Sequence, residues 1–427
     1  MRQSIPVASS AIAASITIPG SKSITNRALL LASLARGVSH LKAILLSDDT
    51  RVFIKALQQL GVEIRLDENT ASCQVTGKGC LTPAKNARVW CQQAGTAARF
   101  LVAVCAASDA TVEFDADQQL RGRPLLPLLD VLRAQGADIS ADRMPFTVQG
   151  KNNLPGGEIM LPGDQSSQFV SAMLMAAPLC KNPLTLITQD LVSTPYVAMT
   201  CRMMADFGVN VLTLVGEYNV IAPQQYMARD YMVEADLSTA SYFFAAAAIT
   251  GGVISMQPVD RAASLQADVA FLTVLEQMGC EVSATPSALT VRGPAVLQGV
   301  TVDMKDFSDT FMTLAAIACF AATPTIIKNI GHTRLQESDR ISAMYRNLQT
   351  LGIKVETGGD WIKILPGTPK AAVLDSFNDH RIAMSLAVIG LRTPGIEIES
   401  AECVAKTCPT FFKLLDFVTA VSPLPVP

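Results

Sequence analysis

The chain reads as an α/β protein of two domains assembled from six copies of one unit, and two independent series of recurring segments predict this. In the first, an amphipathic helix ends on glycine and runs into a short alternating strand: "QQLGVEI", "RAQGADI", "ADFGVNV", "EQMGCEV" and "QTLGIKV". Their glycines, Gly61, Gly136, Gly208, Gly279 and Gly352, recur at steps of 75, 72, 71 and 73 residues, and glycine just past a helix is the expected left-handed cap. In the second, a small polar residue opens an alanine-rich apolar helix: "ITNRALLLASLA", "GTAARFLVAVCA", "SSQFVSAMLMAA", "STASYFFAAAAI", "SDTFMTLAAIAC" and "NDHRIAMSLAVI". Anchored on Thr25, Thr96, Ser167, Thr239, Asp309 and Asp379, these openings step by 71, 71, 72, 70 and 70 residues.

Each unit thus holds two helices and several short strands. The apolar helices have no polar face and must be buried on all sides, while the amphipathic ones cover the outside. Two groups of three units are more compact than one ring of six. The expected break lies near 235–240, with a second crossing near 20. The sixth amphipathic helix, "PTFFKLLDFVTAV" at 409–421, has no strand after it, so the N-terminal "ASITIPG" is expected to join the C-terminal unit and close a circle. That gives a discontinuous domain of residues 1–20 and 236–427 and a second domain of 21–235.

Composition narrows the function classes. With 49% hydrophobic residues, 17% charged and a net charge of -3, the chain is neither disordered nor generally basic, so no nucleic-acid partner is expected. Stretches such as "FVSAMLMAAPLC" fall short of the roughly 18–20 residues needed to span a bilayer, so no membrane partner is expected either. Ser4, Pro6 and the Ser9-Ser10 pair interrupt the N-terminal apolar stretch, which favours a cytoplasmic protein over an exported one. The ten cysteines contain no C-x-x-C pair and the three histidines, His40, His332 and His380, are scattered, so no metal site is indicated and the thiols read as free and buried.

Polar residues collect at the starts of the apolar helices, where unpaired N–H groups and a partial positive charge suit anions. Lys22, Ser23, Arg27, Arg99, Ser166, Ser167, Gln168 and Arg381 lie there, and Arg123, Arg340 and Lys406 lie in loops. Capping alone explains a Ser or Thr at such a place, and Asp309 and Asp379 too. The recurrence of cations across the units of an acidic chain instead indicates a pocket for more than one phosphate or carboxylate.

"PGSKSITNRALLLASLA", "QAGTAARF", "LRGRP", "QSSQFVSAMLMAAP", "LVSTPY", "EADLSTASYFFAAAAI", "QESDRI", "FNDHRIAMSLAV" and "AKTCPTFF" stand in the order and spacing of the 5-enolpyruvylshikimate-3-phosphate synthase family, which this chain resembles from residue 14 to about 415. The resemblance implies the two-domain enolpyruvyl transferase fold, six βαβαββ units with three per domain, buried helices inside each domain and the active site in the cleft between them. It implies transfer of the enolpyruvyl group of phosphoenolpyruvate to the 5-hydroxyl of shikimate 3-phosphate with release of phosphate, in aromatic amino acid biosynthesis, by a monomer without metal or other cofactor. Carried over by motif, Ser23, Arg27, Ser166, Ser167, Ser193, Tyr196, Asp309 and Gln336 face shikimate 3-phosphate. Lys22, Gly95, Arg123, Gln168, Arg340, Arg381 and Lys406 face phosphoenolpyruvate. Asp309, Glu337 and Lys22 are the catalytic set: addition then elimination needs a base for oxygen, an acid for carbon, and fixed positive charge where phosphate leaves. The resemblance also implies inhibition by glyphosate, for which a methyl group at Gly95 would leave too little room.

The chain departs from the family pattern at four positions. Gln93 stands where the family has Asn, Phe100 where it has Pro, His332 where many members have Asn, and Gln336 where a Lys contacts the acceptor phosphate. Losing that charge-assisted bond costs about 1.5–3 kcal/mol of acceptor binding. A diverged enolpyruvyl transferase with another acceptor, or a non-catalytic scaffold, are the alternatives. The sister transfer to UDP-N-acetylglucosamine fits less well, since that family opens with Lys-Asn and carries a Cys near 110–125, whereas residues 106–179 here hold none.

Overall fold

The computed structural model describes residues 1–84, 86–151, 153–285 and 287–420. Contacts divide the chain into two units, one of Met1–Pro19 with the chain from Glu234 on, the other of Gly20–Val233. Among the described residues each contains three small sheets and three buried helices.

The repeat is visible strand by strand. Gly157–Pro162 leads into the buried helix Ser167–Ala176, and the chain returns as Leu184–Gln189, parallel to the first strand with Ile159 opposite Leu186. The amphipathic helix Thr194–Asp206 follows, and Val211–Leu214 and Glu217–Val220 complete the sheet antiparallel. The same order holds around the helices Gly95–Ala106 and Phe311–Ala318.

At the two chain crossings the strands are exchanged. Ala13–Ile16 precedes the helix Lys22–Leu34 in sequence yet pairs in parallel with Val253–Met256, after the helix Leu237–Thr250. Asp230–Met232 precedes Leu237–Thr250 yet pairs with Ala35–Lys42, after Lys22–Leu34. The expected closure is therefore corrected. "ASITIPG" serves the fourth repeat, and the circle is closed by Arg2–Ser4, which lies antiparallel to Ile396–Glu399. Register explains the choice: Ala14 and Ile16 are buried and Ser15 is exposed, so this strand needs a core under one face, while Arg2–Ser4 is an edge strand tied by Arg2 to Glu399 at 2.6 Å. The last amphipathic helix is Phe411–Ala420; position 421 lies outside the described residues.

The alanine-rich helices fill the interiors. Every residue from Leu237 to Ile249 is buried, and this helix packs on Phe311–Ala318 and His380–Gly390, which pack on each other. Two of its hydroxyls bond to its own backbone: Ser241 donates to Ser238 O at 2.6 Å and lies 3.0 Å from Thr313 Oγ1, and Thr250 donates to Ala246 O at 2.8 Å. Small residues let the three helices approach closely and point their first turns to one end of the unit. The cysteines are free, and Cys80 is exposed where a buried thiol was expected.

The five cap glycines have φ between +81° and +97°. At Gly136 nothing lies within 4 Å of an added Cβ, so φ alone decides the residue there. Gly136→Ala is expected to destabilise the chain by about 1–2 kcal/mol, read as a lower thermal midpoint, with Gly136→Asn losing less; equal midpoints for all three proteins would refute the cap.

Candidate active site

In each unit the sequence-predicted residues fall at one kind of place, the loops that leave the carboxyl ends of the paired parallel strands. There the helix N-termini that follow point their N–H groups outward, the usual ligand side of α/β sheets. Four of these loops begin on a non-glycine residue in the left-handed region: Ala43, Asp190, Asn329 and Ser400, with φ of 53°, 53°, 59° and 50°. Each costs about 1–2 kcal/mol, a local strain that the surrounding sheet must hold.

In the unit that contains both chain ends, the loops converge on Arg340. This residue opens the helix Arg340–Thr350 and its side chain is 1% exposed. Its Nε donates to Asp379 Oδ2 at 2.9 Å, its Nη2 to Glu337 Oε2 at 2.9 Å, and its Nη1 to Asp309 Oδ1 at 3.2 Å. Gln336 Oε1 accepts a further hydrogen bond from Nη1. Burial opposes the charge, but Asp379, Glu337 and Asp309 outweigh it and hold the guanidinium above its usual range. Asp379 also caps the helix His380–Gly390, accepting from Arg381 N at 2.9 Å, and takes Ser338 Oγ at 3.0 Å. Arg381 Nη2 donates to Asp309 Oδ2 at 2.6 Å, and Lys406 Nζ lies 3.2 Å from Glu337 Oε1. Three cations therefore face three carboxylates in one array. His332, which stands 2.8 Å from Ser308 Oγ, is pushed down to about 4, chiefly by burial and also by Arg340 and Lys305, so it is neutral at pH 7.

In the other unit the centre is Arg27. It is fully buried one turn into the helix Lys22–Leu34, with Nε donating to Thr200 Oγ1 at 2.7 Å and Nη2 to Ser171 Oγ at 3.3 Å. The backbone carbonyls of Ser23 and Tyr196 take Nη1 at 3.0 Å and Nη2 at 3.2 Å. Phe100 lies under the guanidinium at 5.3 Å, which gives the departure at 100 a role: the aromatic ring supports a cation whose described partners are all neutral. Burial pushes Arg27 down to about 10, a cost that an arriving anion would offset.

Beside it, Arg99 donates to Gln168 Oε1 at 3.0 Å and to Pro124 O at 3.1 Å. The Gln168 amide is thereby turned so that its NH₂ is the group on offer. An added Cβ at Gly95 would lie 2.5 Å from Arg99 Nη1 and 2.8 Å from Arg123 Nη1, so both guanidiniums rest on this glycine. Ser166 caps the helix Ser167–Ala176 through Gln168 N at 3.3 Å, Ser167 is buried, and Ser193 sits in the left-handed region at φ 51° before Thr194–Asp206. Lys22 Nζ is 3.5 Å from Asp49 Oδ2.

Two residues in these loops escaped sequence reading. Asp49 pairs with Lys22, and Asp268 accepts from Ser238 Oγ at 3.0 Å at the edge of the Asp309–Arg381 array. Both look like helix-start acids in the sequence. The signal that could have found them is the repeat itself, since they occupy the loop that in other units carries Arg123, Ser193, Glu337 and Lys406. Among the described residues no group of three or more His, Cys, Asp or Glu is placed to hold a metal ion, and no helix is long and apolar enough to cross a membrane.

The fold is that of an enolpyruvyl transferase. The enolpyruvyl transferase NikO from Streptomyces tendae superposes with a TM-score of 0.79 over 97% of this chain and 96% of its own, at 16% identity, a likeness of fold alone. EPSP synthase from Acinetobacter baumannii superposes with a TM-score of 0.81 at 25% identity, covering 98% of both chains. The family model for EPSP synthase (3-phosphoshikimate 1-carboxyvinyltransferase) matches residues 7–415. The 3-phosphoshikimate 1-carboxyvinyltransferase of a Nostoc species is 44% identical over 96% of this chain and 99% of its own length, and that of Shewanella baltica is 40% identical over 93% and 95%. The chain belongs to the EPSP synthase family.

Arg340 depends most on Asp379, which is wholly buried and meets it twice. Asp379→Ala is expected to lower stability by about 3–5 kcal/mol, because a buried guanidinium is left without its main counter-charge, read by denaturant unfolding. A loss under 1 kcal/mol would show that Asp309 and Glu337 suffice.

Proposed function

We propose that this chain transfers the enolpyruvyl group of phosphoenolpyruvate to the 5-hydroxyl of shikimate 3-phosphate and releases phosphate, by addition and then elimination. The observation that carries the reading is the buried array of Asp309, Arg381, Arg340, Glu337 and Lys406, which joins a base, an acid and fixed cations within hydrogen-bond distance. Arg27, Ser23 and Tyr196 take the acceptor carboxylate, and Ser166, Ser167, Ser193 and Gln336 its phosphate. Lys22, Arg123, Gln168, Arg340, Arg381 and Lys406 take phosphoenolpyruvate, with Gly95 at its edge.

In the addition, Asp309 accepts the proton of the 5-hydroxyl while that oxygen bonds to C2 of phosphoenolpyruvate, and Glu337, which takes a proton from solvent once displaced from its cations, donates it to C3. In the elimination, Glu337 takes a proton back from C3, the bond between C2 and the phosphate oxygen breaks, and the proton held by Asp309 leaves with the phosphate. Lys22 and Arg123 offset the charge on the departing group. Arg340, Arg381 and Lys406 are ion-paired with Asp309 and Glu337. Substrate anions compete for these cations, and a carboxylate released from its cation is a better proton acceptor. Binding thus prepares the acid and the base.

We read the protein as a cytoplasmic monomer acting on small molecules without metal or other cofactor. Gln336 supports a second reading, a different acceptor on the same frame, because its amide is neutral and offers an acceptor phosphate no charge, while its oxygen accepts from Arg340. Phosphate release from phosphoenolpyruvate, measured with and without shikimate 3-phosphate, separates the two. Release is expected only with shikimate 3-phosphate. Gln336→Lys is expected to lower the KM for shikimate 3-phosphate by about tenfold, the value of one charge-assisted bond, with that for phosphoenolpyruvate within twofold. No release with either protein would move the assignment to another acceptor.

A further inference from the structure

Thr200 is a buried hydroxyl to which the reaction above gives no part. It stands one turn past Tyr196 in the helix Thr194–Asp206, outside the "LVSTPY" segment, and its side chain is closed to solvent. Its oxygen meets three helices. It accepts from Arg27 Nε at 2.7 Å, on Lys22–Leu34, and it donates to Tyr196 O at 2.8 Å in its own helix or to Ser171 Oγ at 2.9 Å on Ser167–Ala176. The helix Thr194–Asp206 packs on both of the others.

A threonine hydroxyl has one proton and two lone pairs. Tyr196 O and Ser171 Oγ, the two acceptors within reach of that proton, also take Arg27 Nη2, at 3.2 and 3.3 Å. The network is therefore closed along the Nε–Nη2 edge of the guanidinium, and that edge can no longer fork onto both oxygens of a carboxylate, the usual bidentate geometry. On the other side Nη1 carries two N–H groups and has one described acceptor, Ser23 O at 3.0 Å. Phe100 lies against the face of the group at 5.3 Å. A buried network satisfied in this way is rigid, so it fixes which N–H is open to a ligand.

We propose that Thr200 is a positioning residue for the acceptor site: by filling the Nε–Nη2 edge of Arg27 together with Ser171, it leaves one Nη1 N–H to hold the acceptor carboxylate through a single oxygen. The same hydroxyl bears on the Tyr196 carbonyl, so one atom sets the places of two residues read as carboxylate ligands. The proposal rests on that reading of Arg27 and Tyr196. It goes further in making the arginine a one-point contact, directed by a side chain that never touches the substrate.

The test compares wild type, Thr200→Val, Thr200→Ser and Ser171→Ala. Thr200→Val keeps the shape of the side chain and removes the oxygen, so Arg27 Nε loses its acceptor and the guanidinium turns. Its equilibrium affinity for shikimate 3-phosphate is expected to fall about tenfold or more, the value of one charge-assisted hydrogen bond, with kcat and the KM for phosphoenolpyruvate within about twofold. Thr200→Ser restores the oxygen and should restore the affinity. Ser171→Ala, which removes one acceptor of Nη2, should lose about threefold. A loosened fold weakens every acceptor alike, so the same proteins are titrated with shikimate 3-phosphate reduced to the alcohol at its carboxylate. Wild type and Thr200→Val are expected to bind that ligand equally.

The side-chain Nε–H signal of Arg27 in the nitrogen NMR spectrum, assigned by its loss in Arg27→Lys, gives a readout without ligand. Held by Thr200 in a closed cage, this proton is expected to exchange slowly with water in wild type and Thr200→Ser, and fast in Thr200→Val. Unchanged affinity of Thr200→Val for shikimate 3-phosphate, or an equal loss for the acid and the alcohol, overturns the proposal. Failure of wild type to bind shikimate 3-phosphate, with the Arg27 signals still diverging, overturns the functional reading while keeping the hold of Thr200 on Arg27. Signals that exchange alike in all the proteins overturn that hold too. If Thr200→Val does not fold, unchanged affinity in Ser171→Ala overturns the proposal.

Discussion

A guanidinium taken fully out of water must be matched by charge. Arg340 is such a group, and its neighbours in one unit are arranged around that need. Its counter-charges divide into two kinds. Asp379 is wholly buried and doubly bonded, and so holds Arg340 in place. Asp309 and Glu337 are part-exposed and share themselves with Arg381 and Lys406. The first kind gives rigidity and the second is cheaper to displace, because a carboxylate that reaches solvent loses less on being displaced than one that does not. A site that binds highly charged anions and also needs a free acid and base can use one array for both purposes.

The other unit meets the same demand in a different way. Arg27 is equally buried, yet its described partners are two hydroxyls, two backbone carbonyls and the face of Phe100. Burial lowers its basicity, and no described partner carries a compensating charge. One unit therefore pairs its buried arginine with carboxylates, while the other holds its own in a neutral cage.

Much of this architecture is legible in the sequence because the repeat is written twice, once in cap glycines and once in apolar helix starts. Runs such as "SYFFAAAAI" admit only an interior position, and the positive φ at all five cap glycines follows from their place just past a helix. The exchange of Ala13–Ile16 and Asp230–Met232 is not legible, because a strand's own pattern gives its buried face and not its partner about 190 to 240 residues away along the chain. Asp49 and Asp268 were hidden for another reason. An acid near a helix start is explained by capping, and only the three-dimensional neighbours Lys22, Asp309 and Arg381 separate a partner from a cap. Gln336 and Phe100 read as departures from a pattern, and each has a contact with an arginine that no pattern contains.

Glu337 and Asp309 pair with the cations that the proposed reaction needs for its anions. The most direct measurement is the equilibrium affinity of Glu337→Gln for phosphoenolpyruvate in the presence of shikimate 3-phosphate, set beside its turnover. Removing the charge of Glu337 frees Lys406 and part of Arg340, so phosphoenolpyruvate is expected to bind at least as tightly as in wild type while kcat falls by about a hundredfold or more, the usual contribution of a positioned proton donor. Affinity that falls in step with turnover would contradict the account, since it would make Glu337 a group that holds the substrate and not one that yields its cations to it.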